Sequence, residues 1–290
     1  MDGIIIKGIA GFYYVKVNEE VFECKARGKF RNTGESPVVG DRVRISVMDN
    51  MKGTIEDIYE RKNILKRPIV SNISKAFVVF AVKHPDINVD LLNKFLIQCE
   101  MNDIDVVVCF NKVDLDNDYA NNIAIEMVKS AGYDTLILNA KEGLGIEEIK
   151  KRLKDNISVF CGPSGVGKST ILNIIAGYEA METGKISDRL RRGKHTTRHS
   201  ELLSVESGLV VDTPGFSNLD ITFDEKQEIQ QYFPEFRSFI EECRFKGCMH
   251  FKEPSCAVKE AVEQGEINEN RYNFYLRLLE EYEKGGNKRW

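Results

Sequence analysis

The stretch Gly162-Pro163-Ser164-Gly165-Val166-Gly167-Lys168-Ser169-Thr170 has the G-x-x-x-x-G-K-[ST] spacing of a phosphate-binding P-loop. Before it, the apolar run 157–161 reads as a buried strand; after it, 171–176 reads as the start of a helix. A glycine-rich turn before an ordinary helix can carry the same letters. The strand and helix on either side favour the P-loop, because backbone N–H groups and a helix N-terminus then surround a phosphate. Gly162, Gly165 and Gly167 let the backbone turn tightly and approach a ligand. Lys168 is placed to reach the β- and γ-phosphates, and Ser169 to ligate magnesium.

Outward from this loop, the 290 residues are 42% hydrophobic and 30% charged, values of a soluble, multidomain chain with ample core. No apolar run approaches membrane-spanning length, and no signal-peptide pattern opens the chain. A cytoplasmic protein with no membrane partner is the expectation. The net charge of −4 excludes a surface that is basic throughout. Residues 1–68 nevertheless carry 13 Lys/Arg against 10 Asp/Glu, so the remaining 222 residues stand at −7. A nucleic acid would therefore be met by local patches.

Residues 1–68 read as an all-β, OB-like barrel with strands over 3–10, 12–17, 21–26, 42–47 and 53–58. Lys25, Arg27, Lys29 and Arg31 alternate beside Phe30. Two readings stand: a basic RNA-binding face with a stacking aromatic, or a solvated strand face. Arg67-Pro68 reads as a linker. From 69 to 222 apolar strands (76–82, 105–110, 135–138, 157–161) alternate with amphipathic helices (90–101, 120–131, 146–153), which implies a mostly parallel sheet covered on both faces. Residues 179–200 are polar and basic, a long loop expected to be mobile; 201–205 and 209–212 read as a hairpin. Residues 223–290 read as a small helical region, with Tyr272, Tyr275, Leu276, Leu279 and Tyr282 packing on one helical face.

Asn111-Lys112-Val113-Asp114 follows the second of these strands and has the chemistry of a guanine reader. The Asp114 carboxylate can accept from guanine N1–H and its 2-amino group; adenine offers neither donor and would leave the acid unpaired. Asn111 can bond the other base edge and brace the P-loop, and the Lys112 stem can lie across the base. Asn139-Ala140-Lys141, after the next strand, resembles the Ser-Ala-Lys element of GTPases, whose Ala N–H meets guanine O6; a plain β-to-α turn is the other reading. Asp212-Thr-Pro-Gly215 is a D-x-x-G element, with Asp212 on magnesium and the Gly215 N–H sensing the γ-phosphate. Thr196-Thr197 lies in the basic loop between, where a threonine can ligate magnesium. The usual GTPase order is P-loop, Thr, D-x-x-G, N-K-x-D, S-A-K. Here the order is N-K-x-D, N-A-K, P-loop, Thr, D-x-x-G, a circular permutation of one sheet. Gly215 then leads directly into the C-terminal region.

Cys243, Cys248, His250 and Cys256 have the spacing Cys-x4-Cys-x-His-x5-Cys. Three thiolates and one imidazole make a closed structural zinc set with no position left for catalysis. Free core thiols are the alternative. The remaining Cys24, Cys99, Cys109 and Cys161 sit singly in apolar runs and read as small buried hydrophobes.

Together, the permuted motif order and this Cys/His set resemble the RsgA (YjeQ/YloQ) family of small-subunit-dependent, circularly permuted GTPases, over the whole chain. The resemblance implies slow GTP hydrolysis to GDP, stimulated by the small (30S) ribosomal subunit and its 16S rRNA, in a late step of that subunit's maturation. It implies a monomer with one zinc, and magnesium held with GTP by Ser169, Thr197 and Asp212. The family's Gly-x-His-Thr-Thr segment is here Gly193-Lys-His195-Thr196-Thr197, which implies that His195 orients the attacking water and Thr197 is the magnesium threonine. Phe216 follows Gly215 where many GTPases place a water-positioning glutamine. An RNA-binding switch that uses GTP as a conformational ligand, with little turnover, is the second reading.

Overall fold

The computed structural model describes residues 1–30, 36–48, 51–66, 68–177, 200–206, 208–212 and 221–285. Alternating apolar and polar positions make the first five strands, β1 (Asp2–Ile9), β2 (Phe12–Val17), β3 (Glu20–Ala26), β4 (Arg42–Met48) and β5 (Lys52–Ile58). They close into a barrel in the order β1-β2-β3-β5-β4, with β3 and β5 parallel and the other pairs antiparallel. Ile5, Val15, Cys24, Val43 and Ile55 fill its interior. This is the OB-like barrel that the strand spacing predicts. Phe30 is buried in the same core, so it offers no open stacking face. Arg27 pairs with Glu56 and Lys29 with Asp57, each at 2.8 Å, and Lys25 lies over the Phe12 ring. These paired cations stay exposed on the barrel face. Arg31 lies outside the described residues.

The expected linker is folded. β6 (Ile64–Lys66) and β7 (Ile69–Ser71) form an antiparallel hairpin with Pro68 at its turn, while Arg67 lies outside the described residues. The buried Ser71 hydroxyl donates to Asp41 Oδ1 at 2.6 Å, and Arg61 donates to both Asp41 oxygens at 2.7 and 2.8 Å. Gly40, at φ +90°, is where this joint demands glycine: a Cβ there would lie 2.1 Å from Ser71 O. Where the sequence reads as a linker, the polar contacts of Ser71 and Arg61 with buried Asp41 make a fixed joint.

Among the described residues, the second sheet has six strands in the order β10-β9-β8-β11-β13-β12. These are β8 (Lys75–Ala81), β9 (Asp105–Asn111), β10 (Asp134–Ile137), β11 (Ile157–Cys161), β12 (Leu202–Val205) and β13 (Gly208–Val211). All neighbours are parallel except β12, which turns back on β13 as a hairpin. The strands read as near-continuous apolar runs because both faces are covered. On one face, α1 (Val89–Glu100) and α2 (Ile123–Ser130) pack on Val78, Phe80, Val108 and Phe110, in a core that continues into the barrel. On the other, α3 (Ile146–Leu153) and α4 (Lys168–Ala176) pack on Phe77, Val79, Val107 and Phe160. The helix expected over 120–131 is shorter: Asn122 caps α2 by accepting the Ala124 N–H at 3.0 Å, and 119–121 form a separate 3-10 turn. Of the expected loop 179–200, residues 179–199 lie outside the described residues, and Ser200 is buried.

A third core gathers α5 (Arg237–Ile240), α6 (Ala257–Glu263), α7 (Glu269–Gly285) and the 3-10 turns over 226–236. Tyr275 and Leu279 of the anticipated face are buried there, and Ile97 of α1 joins them. Among the described residues, no helix is long and apolar enough to cross a membrane.

Candidate functional site

The described residues of the nucleotide motifs stand at or just beyond the C-terminal ends of parallel strands, the edge at which open α/β sheets bind ligands. N-K-x-D ends β9, Asn139-Ala140-Lys141 follows β10, the P-loop follows β11, and Asp212 follows β13. The strand order therefore sets the N-K-x-D and Asn139-Ala140-Lys141 turns, the P-loop and Asp212 in one row. Two strand spacings separate β9 from β11, about 10 Å, a distance a nucleoside triphosphate spans from base to phosphates.

The P-loop has glycine where its backbone is approached most closely, by the β8 backbone at Gly162 and by the Asn111 side chain at Gly167. A Cβ on Gly162 (φ +130°) would lie 2.0 Å from Val79 O, and one on Gly167 (φ +102°) would lie 2.4 Å from Asn111 Nδ2. Ser164 and Gly165 at the tip are exposed, Val166 is buried beneath them, and Ser169 and Thr170 sit in the first turn of α4. Lys168 folds over its own loop, donating to Gly162 O at 2.8 Å and to Pro163 O at 2.5 Å. Burial holds its pKa below the ordinary lysine value. An ammonium in that position gains from a phosphate partner.

Asn111 is buried and joins two motifs. Its Nδ2 donates to Val166 O at 2.8 Å, and its Oδ1 accepts the Ala140 N–H at 3.1 Å. The bracing of the P-loop read from the sequence is thus present, and it extends to the Asn139-Ala140-Lys141 turn. Lys112 (φ +63°) turns the chain, its ammonium donating to His84 O, with Val113 buried behind it. Asp114 and Lys141 are exposed at the rim. His84 was missed from the sequence because a backbone carbonyl carries no residue-type signal.

At the other end of the row, burial raises the Asp212 carboxyl above its ordinary value; the Glu201 N–H and the Lys7 charge oppose that shift. Ser169, in the first turn of α4, and Asp212, just past β13, offer a hydroxyl and a carboxylate, hard oxygen donors that fit magnesium. His195, Thr196, Thr197 and Gly215 lie outside the described residues.

In the C-terminal region the donor atoms of Cys243, Cys248, His250 and Cys256 lie within 4.8 Å of one another. Cys243 Sγ is 3.9 Å from Cys256 Sγ and 3.5 Å from His250 Nδ1, and Nδ1 is 3.3 Å from Cys256 Sγ. A tetrahedron with zinc's bond lengths has S···S edges of about 3.8 Å and S···N edges of about 3.5 Å, so the set fits that ion. With Nδ1 toward the thiols, the His250 Nε2–H donates to Gln230 Oε1 at 2.7 Å, fixing the tautomer. Burial pushes the His250 pKa down to about 4, keeping the ring neutral for ligation. Tyr272 and Tyr275 donate to His250 O and Met249 O at 2.6 and 2.8 Å, so the tyrosine face of α7 supports the ligand loop. Gln230 gave no spacing signal, standing 20 residues from His250 in sequence.

Comparison with known proteins matches residues 58–222 to the RsgA GTPase model and residues 2–55 to the RsgA N-terminal domain model. The chain belongs to the RsgA GTPase family. It is 61% identical to a small ribosomal subunit biogenesis GTPase RsgA of Clostridium novyi (strain NT), across 100% of both chains. It is 59% identical to the protein of that description from Clostridium botulinum (strain Loch Maree / Type A3), again over 100% of both. Among solved structures, YloQ, described as a circularly permuted GTPase, superposes with a TM-score of 0.85 at 38% identity, covering 100% of this chain and 96% of that one. YjeQ from Thermotoga maritima gives 0.85 at 38%, covering 99% of each. RsgA-family membership accounts for the permuted motif order and for the barrel placed before the sheet.

Proposed function

We propose that this chain hydrolyses GTP to GDP and phosphate under stimulation by the small ribosomal subunit, in late maturation of that subunit. The single observation that carries the reading is Asn111, which bonds the P-loop and the Asn139-Ala140-Lys141 turn at once. A phosphate loop and a base-reading loop held by one buried amide make a guanine-nucleotide site rather than a general phosphate site. The relatives, small ribosomal subunit biogenesis GTPases by name, supply the ribosomal partner.

In this reading Asp114 selects guanine, with Val113 and the Lys112 stem behind it and Ala140 and Lys141 on the other base edge. Residues Gly162 to Thr170 cradle the phosphates, and Lys168 leaves its carbonyl partners for the β- and γ-oxygens. Ser169, Asp212 and Thr197 hold magnesium, which when bound neutralises charge developing on the phosphates. His195 orients the attacking water and Gly215 senses the γ-phosphate; both roles rest on the family's motifs. One zinc held by Cys243, Cys248, His250 and Cys256 is structural. The protein acts as a cytoplasmic monomer on 16S rRNA within the small subunit, with boundaries near residues 68 and 222 between barrel, GTPase domain and zinc-binding region.

GTP turnover measured with and without purified 30S subunits tests this. The expected result is clear stimulation, with His195→Ala keeping GTP binding while its stimulated rate falls by roughly 100-fold. Tight GTP binding with no stimulated turnover would instead support a regulatory switch.

A further inference from the structure

β12 is an edge strand of the GTPase sheet, and the barrel covers that edge. Lys7 of β1 and Glu201, the residue before β12, form an antiparallel bridge. Across it Lys7 Nζ donates to Glu201 Oε2 at 2.6 Å, and nearby Lys16 Nζ donates to Ser204 Oγ at 2.9 Å. The pairing of β1 with β2 shifts register between Ile5 and Lys7, an irregularity that bends a strand and re-aims its side chains. Glu201 meets Asp212 with its backbone. Its N–H donates to Asp212 Oδ1 at 3.1 Å, and its carbonyl accepts the Asp212 N–H at 2.9 Å. One residue thus holds the barrel by its carboxylate and Asp212 by its main chain. Beside this clamp lies a cavity of about 850 Å³ lined by residues of both bodies, Lys16, Asn72, Asn156 and Ser204 among them. On this flank these polar contacts lie at the rim of the apolar core that Leu202, Leu209 and Val211 share with the barrel.

We propose that Lys7 and Glu201 are positioning residues for Asp212, so that the seat of the barrel on the sheet edge sets the orientation of the carboxylate that receives magnesium with GTP. This rests on the reading of Asp212 given above. A carboxylate turns about two side-chain torsions, and an N–H fixed on Oδ1 selects which oxygen faces the nucleotide. That N–H is placed only as well as the Glu201 backbone, which stands one residue outside β12. The Lys7 and Glu201 side chains are 32% and 35% exposed, so their pairing adds little to overall stability. Its effect is on where the Glu201 backbone stands. The linkage is reciprocal: whatever displaces the barrel alters magnesium binding, and magnesium binding steadies the barrel.

The test follows the dissociation of a fluorescent GDP analogue from the full-length protein as magnesium is varied. Lys7→Met and Glu201→Gln should each raise the half-saturating magnesium concentration about three- to fivefold, the scale of an ion pair of this exposure. Dissociation in EDTA should be unchanged. The charge swap Lys7→Glu with Glu201→Lys should return the midpoint toward the wild-type value. A merely structural pair would lower the melting temperature and leave the magnesium midpoint in place, which overturns the proposal. Asp212→Asn separates the two readings. If it abolishes the magnesium dependence while the Lys7 and Glu201 variants titrate like wild type, only the positioning role is lost. If it leaves the dependence intact, the assignment of Asp212 falls and this inference with it.

Discussion

Asn111 spends both ends of one amide inside the protein, on Val166 O and the Ala140 N–H. That leaves Asp114, exposed one turn later, as the side chain free to choose the base. Its two carboxylate oxygens match the two donors on guanine's edge, and xanthine carries an oxygen where guanine carries its amino group. Asp114→Asn should therefore lower GTP affinity by roughly 100-fold or more and raise affinity for xanthosine triphosphate. Competition against a fluorescent nucleotide checks this; retained GTP affinity with no gain for the xanthine nucleotide would refute the base-reading role. Asp114 was legible because a motif fixes its spacing to a strand end. Phe30 was not: an aromatic among alternating lysines and arginines reads equally as a platform or as a core residue, and only the closed barrel shows it buried.

Elements were legible where periodicity was clean. The five barrel strands, the parallel strands and the hairpin at 202–211 fall within a residue or two of their expected spans, because alternation and apolar runs are local signals. The losses came where polar residues had nonlocal partners. Arg67-Pro68 looked like a linker, yet Pro68 sits at the turn of a hairpin tied to Asp41 through Ser71. The ligand loop over 243–256 shows the same dependence in reverse. It has little regular structure of its own, and Cys248 and His250 are buried by the turns over 226–236 and by α7. A loop of this kind draws its stability from a metal where one is bound. Purified protein should carry one zinc per chain. Cys248→Ser should lose it and expose the amides of 237–263 to hydrogen exchange. A metal-free preparation with equal protection there would show that aromatic packing suffices.

At the scale of the molecule, the permutation places Asp212 nine residues before Ile221, which is already buried in the third core. The C-terminal region also grips the GTPase domain from the side. Arg237 donates to Glu100 at 3.0 Å, Arg277 pairs with Asp90, and Arg271 Nη1 donates to Asn93 Oδ1 at 3.0 Å, all on α1. α1 in turn covers β8 and β9, the latter ending in the N-K-x-D motif. Arg271 is the centre of this grip, fully buried, held on Glu235 through Nε at 2.6 Å and Nη2 at 3.2 Å, and lying over the Phe233 ring. The acidic partners keep its guanidinium charged despite burial, which opposes them. Nothing in the sequence marked it, since an arginine on a helix full of tyrosine and glutamate reads as solvated. Removing it leaves Glu235 buried without its cation, so Arg271→Ala should destabilise the protein by about 3–5 kcal/mol. The loss should fall on the contact between regions: melting followed by hydrogen exchange should show 226–285 opening before the sheet, where the wild type opens as one unit. Replacing both partners by apolar residues, Arg271→Met with Glu235→Leu, removes the stranded charge and should recover most of that stability. If the single variant melts like wild type, or the double variant is as unstable as the single, the buried pair is not what joins the C-terminal region to α1, and the apolar contact of Ile97 with the third core must carry that role.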